Sequence, residues 1–80
     1  MVHYYFDFRD DDELTVDDIG AEFSSVEKAK AEASRALAER AQDVLPGSAV
    51  RTLSIGVRNH IGPVLRVSLR FEVEQLSEMA

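Results

Sequence analysis

Between residues 26 and 44 the apolar side chains fall at Val26, Ala29, Ala33, Leu37, Ala41 and Val44. Spacings of three and four place them on one stripe of an α-helix, and the intervening Glu, Lys, Arg and Ala residues are strong helix formers. Ser24 followed by Glu27 fits a capping box, in which the hydroxyl accepts from the amide three residues on and the Glu reaches back to the cap amide. At the far end Pro46 biases Leu45 away from helical backbone, and Gly47 completes the stop. The pairs Lys28 with Glu32 and Arg35 with Glu39 lie one turn apart on the outer side. A stripe made mostly of alanine lets the backbone lie close to whatever it covers, and one helix can cover only one face of a sheet.

The rest of the chain alternates with a period of two. Val2, Tyr4, Phe6 and Phe8 interleave with His3, Tyr5, Asp7 and Arg9, which predicts an opening strand whose aromatic face meets the helix. Asp10, Asp11, Asp12 and Glu13 interrupt this pattern with four consecutive acids, which repel one another and favour a solvated turn. Partial alternation predicts one short edge strand between residues 13 and 23. After the helix, Leu53, Ile55 and Val57 and then Leu65, Val67, Leu69, Phe71 and Val73 form the apolar faces of a hairpin. Both faces reach the core only if Val57 opposes Leu65. That predicts an odd loop of three or five residues centred on Ile61, with Gly62 left-handed, Gly56 opposite Arg66 and Thr52 opposite Arg70. The expected fold is α+β, in the order β-β-α-β-β, with one long helix packed on one face of a small antiparallel or mixed sheet. Residues 1–76 form the single domain and 77–80 a frayed tail.

Eighty residues bury only roughly 60 to 70% of the surface their unfolded chain exposes, which leaves little room for a deep substrate cavity. The absence of Cys removes disulfides, thiolate metal sites and thiol nucleophiles together. No signal peptide or membrane-spanning run is visible, so a cytoplasmic location is the expectation. The net charge of −6 is concentrated: residues 1–24 carry eight acids against Arg9 alone, whereas residues 25–80 carry eight bases against seven acids. An acidic chain argues against general phosphate binding, so nucleic acid is not the expected partner.

The acids at Asp10, Asp11, Asp12, Glu13, Asp17 and Asp18 are a candidate patch for a basic protein partner. As a cation loop they miss the required spacing, since the fifth and sixth positions counted from Asp10 are Leu14 and Thr15. His3 and Asp7 lie about 13 Å apart on an extended strand, too far for a catalytic dyad. No nucleophile elbow, dinucleotide fingerprint or phosphate loop occurs in the sequence, and no cofactor is expected. His3, Tyr5, Arg58, Arg66 and Arg70 fall on the sheet face that the helix cannot cover. An uncovered face of this kind is closed by a second copy or offered to a partner, and a homodimer is the expectation. An exposed Tyr among arginines also fits, weakly, the stacking of single-stranded nucleic acid.

The stretches YYFDFRD at 4–10, DDIGAEF at 17–23, AKAEASRAL at 29–37 and VRNHIGPV at 57–64 together resemble a family of short bacterial proteins known as a domain of unknown function. That resemblance implies the architecture above and carries over no active site. The first half is also similar to the HicB-type antitoxin domain, with its aromatic strand, acidic turn, Asp-x-x-Gly segment and capped helix. The hairpin after the helix departs from that shorter pattern. This second resemblance implies an acidic face offered to a basic partner.

Overall fold

Nine residues of uninterrupted alternation make the first strand, β1 (Val2–Asp10), the hub of the sheet. The computed structural model describes residues 1–79. After β1 come β2 (Glu13–Thr15), β3 (Ala21–Phe23), the helix α1 (Val26–Val44), β4 (Val50–Arg58) and β5 (Pro63–Glu72). All pairings are antiparallel, in the order β2-β1-β4-β5, and β3 also pairs with β1.

The single edge strand expected between residues 13 and 23 is two strands. β2 pairs with Phe8–Asp10 and β3 with Val2–Tyr4, so together they line one edge of β1 with a kink between them. The order is therefore β-β-β-α-β-β. The turn from β1 to β2 is tight because Asp11 adopts a positive φ of 50°, a conformation that Asp tolerates better than most side chains.

The helix begins one residue later than the sequence pattern indicates. Ser25 has extended backbone and its Oγ accepts from Lys28 N at 3.2 Å, so Ser25 is the cap and the Ser24–Glu27 box does not form. Glu27 still lies in the first turn, where a negative charge complements the helix dipole. On the exposed side Arg35 bridges both Glu32 and Glu39.

Ala29, Ala33, Leu37 and Ala41 are buried against Leu53, Ile55 and Val57 of β4, and Tyr4 and Phe8 complete the core. The helix runs closest to β4 and β5 and touches β3 near its start. The aromatic face of β1 meets the helix as the alternation predicts, with Tyr4 and Phe8 buried and Phe6 packed against the same core. Arg40 lies over the Phe8 ring at 4.3 Å, and Phe6 packs edge-on against Phe23 at 5.6 Å.

The hairpin has the expected register, with Val57 opposite Leu65, Gly56 opposite Arg66 and Thr52 opposite Arg70. Its loop is resolved differently. Arg58 pairs with Pro63, which leaves four residues in the turn, and the shift between Val57 and Arg58 makes Val64 an extra residue. That bulge restores the parity that both apolar faces need. Asn59 holds the turn, its Oδ1 accepting from Ile61 N and Gly62 N. Gly62 has a positive φ of +154°, a backbone conformation that glycine adopts without the strain a side chain would meet. Beyond β5, residues 73–79 are in neither helix nor strand, and Ala80, the last residue of the expected tail, lies outside the described residues. Among the described residues no helix is long and apolar enough to cross a membrane.

Candidate functional site

With α1 on one side, the other side of the sheet carries His3, Tyr5, Asp7 and Arg9 from β1, Ser54, Gly56 and Arg58 from β4, and Arg66, Ser68 and Arg70 from β5. Register turns these into rows. Tyr5 stands opposite Arg58; Asp7, Gly56 and Arg66 follow one another across three strands; Leu14, Arg9, Ser54 and Ser68 form a third row across four.

Arg58 is the centre of a network. Its Nε donates to Asp7 Oδ2 at 2.8 Å, its Nη2 donates to the Asp17 carbonyl at 2.8 Å, and its guanidinium lies 4.5 Å from the Tyr5 ring centre. The bound Asp7 carboxylate holds Arg58 above the ordinary arginine value. Asp17 in turn folds the kink between β2 and β3. Its Oδ2 accepts from Phe6 N and its Oδ1 from Ile19 N and Gly20 N, each at 3.0 Å, while Asp17 N donates to Asp7 Oδ1. Burial works against ionisation of Asp17, but the amides of Phe6, Gly20 and Ile19, with Arg58, outweigh it and hold the carboxyl below its usual value.

The Asp17-x-x-Gly20 spacing has a physical reason in this turn. Gly20 has φ +70°, and an added Cβ would lie 2.6 Å from the Tyr4 carbonyl oxygen and 2.7 Å from His3 Nε2. His3 is itself tied down, with Nε2 2.8 Å from the Ile19 carbonyl, to which it donates.

The six acids of the candidate patch are therefore not equivalent. Asp10 makes a two-pronged pair with Arg51 at 2.8 and 2.6 Å, which holds its carboxyl below the ordinary range. Asp11 donates its amide to the Thr52 carbonyl and accepts from Thr52 N through its side-chain Oδ1, which ties the end of β1 to β4. Asp17 belongs to the kink. Asp12, Glu13 and Asp18 are exposed. Among the described residues no three acidic or histidine side chains converge to hold a metal ion.

The open-face residues divide similarly. His3, Tyr5 and Arg58 are committed to one another and to the kink, whereas Arg66 and Arg70 are exposed. Gly56, which the hairpin register already sets opposite Arg66 on this face, has a role that sequence reasoning did not assign to it. Gly56 is the floor of a groove of about 340 Å³, and a Cβ there would meet nothing within 4 Å. Arg9, Leu14, Arg58, Val64 and Arg66 form its walls. A glycine inside an otherwise apolar, alternating strand was the available signal, since such a residue often marks a close approach to the backbone.

A family model described as a domain of unknown function, DUF6894, matches residues 3–70, which takes in this whole surface. No curated protein and no solved structure matches the chain.

Proposed function

The chain belongs to the DUF6894 family, a domain of unknown function, and from that premise we propose that it acts by binding, as a small interaction module, and that the Gly56 groove receives an acidic segment of a protein partner. The observation that carries this reading is a notch in a central strand, open to solvent and walled by Arg9, Arg66 and the apolar side chains of Leu14 and Val64. Such a site fits a carboxylate on an aliphatic or extended segment: arginines supply charge-assisted hydrogen bonds, and the bare backbone of Gly56 allows close approach. Binding rather than catalysis is favoured because the titratable groups beside the groove already hold the fold. Asp7 is spent on Arg58 and Asp17 N, and His3 on the Ile19 carbonyl.

The reading implied by the HicB-type resemblance, an acidic loop on a basic partner, has fewer carboxylates to draw on. Asp10, Asp11 and Asp17 are committed to Arg51, Thr52 and the kink, which leaves Asp12, Glu13 and Asp18.

Affinity capture from the native cell with three forms of the domain separates the two. Gly56→Val adds bulk where a Cβ meets nothing within 4 Å, Arg9→Glu reverses the groove's charge, and Asp12→Lys with Asp18→Lys reverses the exposed acids. A partner lost with the first two and kept with the third supports the groove. Retention by both groove variants sinks this proposal.

A further inference from the structure

The two edges of the sheet are built differently. One edge is broken into β2 and β3, three residues each, separated by the Asp17 kink. Short, interrupted strands are how edges are kept from pairing with other chains. The other edge is β5, ten residues long, and among the described residues no strand pairs with its outer side. We infer that this edge joins a second copy of the same chain, β5 against β5 in antiparallel orientation, with Leu69 on the two-fold axis.

The backbone directions come first. Val73 N donates to the Ala49 carbonyl, so in the observed register the odd-numbered residues of β5 turn their amides and carbonyls toward β4. Those of Arg66, Ser68, Arg70 and Glu72 therefore point outward and are available for a new ladder. Because Asp11 and Thr52 bond on the β1 side of β4, the even-numbered residues of β4 face the other way, as this alternation requires.

Among registers that overlap at least half of β5, charge favours the one that sets opposite charges face to face. With Leu69 on the axis, Arg66 of each copy stands opposite Glu72 of the other, and Arg70 opposite Ser68. Moving the axis to Ser68 sets Arg66 against Arg70, and moving it to Arg70 sets two arginines face to face. Like charges directly opposite are destabilising. Within its own copy Glu72 has only a loose contact with Arg70, at 3.9 Å.

The apolar face agrees. Leu53, Ile55 and Val57 of β4 are buried, but Leu65, Val67, Leu69 and Phe71 of β5 are only half-buried beneath the same helix, and Val73 is 55% exposed. In the chosen register Leu69 meets Leu69, Val67 meets Phe71 and Leu65 meets Val73. All of these are pairs without intervening hydrogen bonds, in which side chains approach most closely. The two helices then lie on the same side of one continuous sheet, and the Gly56 grooves of both copies remain open on the other side. The proposal goes beyond the groove, with which it shares Arg66, and its readout is mass in solution rather than partner capture.

The test is mass in solution by sedimentation over a range of concentrations, on purified protein, with circular dichroism to verify folding. The native chain is expected to be a dimer. Glu72→Arg, at an exposed position, is expected to raise the dissociation constant at least about tenfold by setting Arg against Arg66. Arg66→Glu combined with Glu72→Arg is expected to restore the dimer, a rescue that a merely structural role would not produce. Leu69→Cys, the sole thiol in the chain, is expected to form an intermolecular disulfide on mild oxidation, since the two Cα atoms of such a pair lie about 4.5 Å apart. Thr52→Cys, on β4, is not. A native monomer at every concentration overturns the inference. So does a dimer indifferent to Glu72→Arg and uncrosslinked by Leu69→Cys.

Discussion

Asp17 and Gly20 show how much one turn can carry. Asp17→Ala removes the acceptor from the amides of Phe6, Ile19 and Gly20, and because the site is partly open to water the expected loss is about 2 kcal/mol, measured by urea denaturation. Gly20→Ala meets both a backbone oxygen and an unfavourable φ, so a loss of at least about 2 kcal/mol is expected, whereas Gly56→Ala has open space and is expected to be neutral or slightly stabilising. The same substitution at two glycines thus gives opposite outcomes. Asp10 and Asp17 both have carboxyls held below their usual values in the folded state. Groups of this kind contribute stability above their unfolded pKa and lose it as pH falls through the folded one, so the urea midpoint should hold from neutrality to about pH 5 and fall below about pH 4. Asp10→Asn with Asp17→Asn should flatten that decline. An unaltered acid limb in the double variant would show that other carboxylates carry it.

At the scale of elements, the helix cap gives a sharp comparison. Ser25→Ala is expected to cost about 1 kcal/mol, and Ser24→Ala to stay within about 0.5 kcal/mol, in thermal or urea unfolding. Two adjacent serines with acids downstream look alike in sequence, and the choice falls on the one whose extended backbone aims its hydroxyl at the third amide. Ala33 is fully buried beneath the strands, so Ala33→Leu is expected to cost about 1–3 kcal/mol by overpacking. The helix stripe and the hairpin register were legible because each depends on spacing within a short segment. The division of residues 13–23 into β2 and β3 was not. Its cause is a set of bonds from Asp17 to Phe6 and Asp7, residues that lie 11 and 10 positions earlier on the neighbouring strand.

The whole molecule is drawn out, with extents of 55 × 21 × 17 Å and a radius of gyration of 15.1 Å, against about 12 Å for a compact chain of this length. The helix buries the apolar face of β4 with Tyr4 and Phe8 of β1, and it half-covers that of β5. Sequence by itself determined that an alanine-striped helix must lie on one face of an antiparallel sheet, which residues share each face and how β4 aligns with β5. Periodicity and turn parity are properties of neighbouring residues, so they can be read along the chain. Tertiary structure alone decided that β1 lies between the broken edge and β4, and that Asp7 meets Arg58 and Asp10 meets Arg51. It likewise decided that Gly56 becomes the floor of a groove. Those outcomes join residues 41 and 51 positions apart, and no local pattern records which distant charge a carboxylate will meet, because that depends on which strands become neighbours once the core is closed.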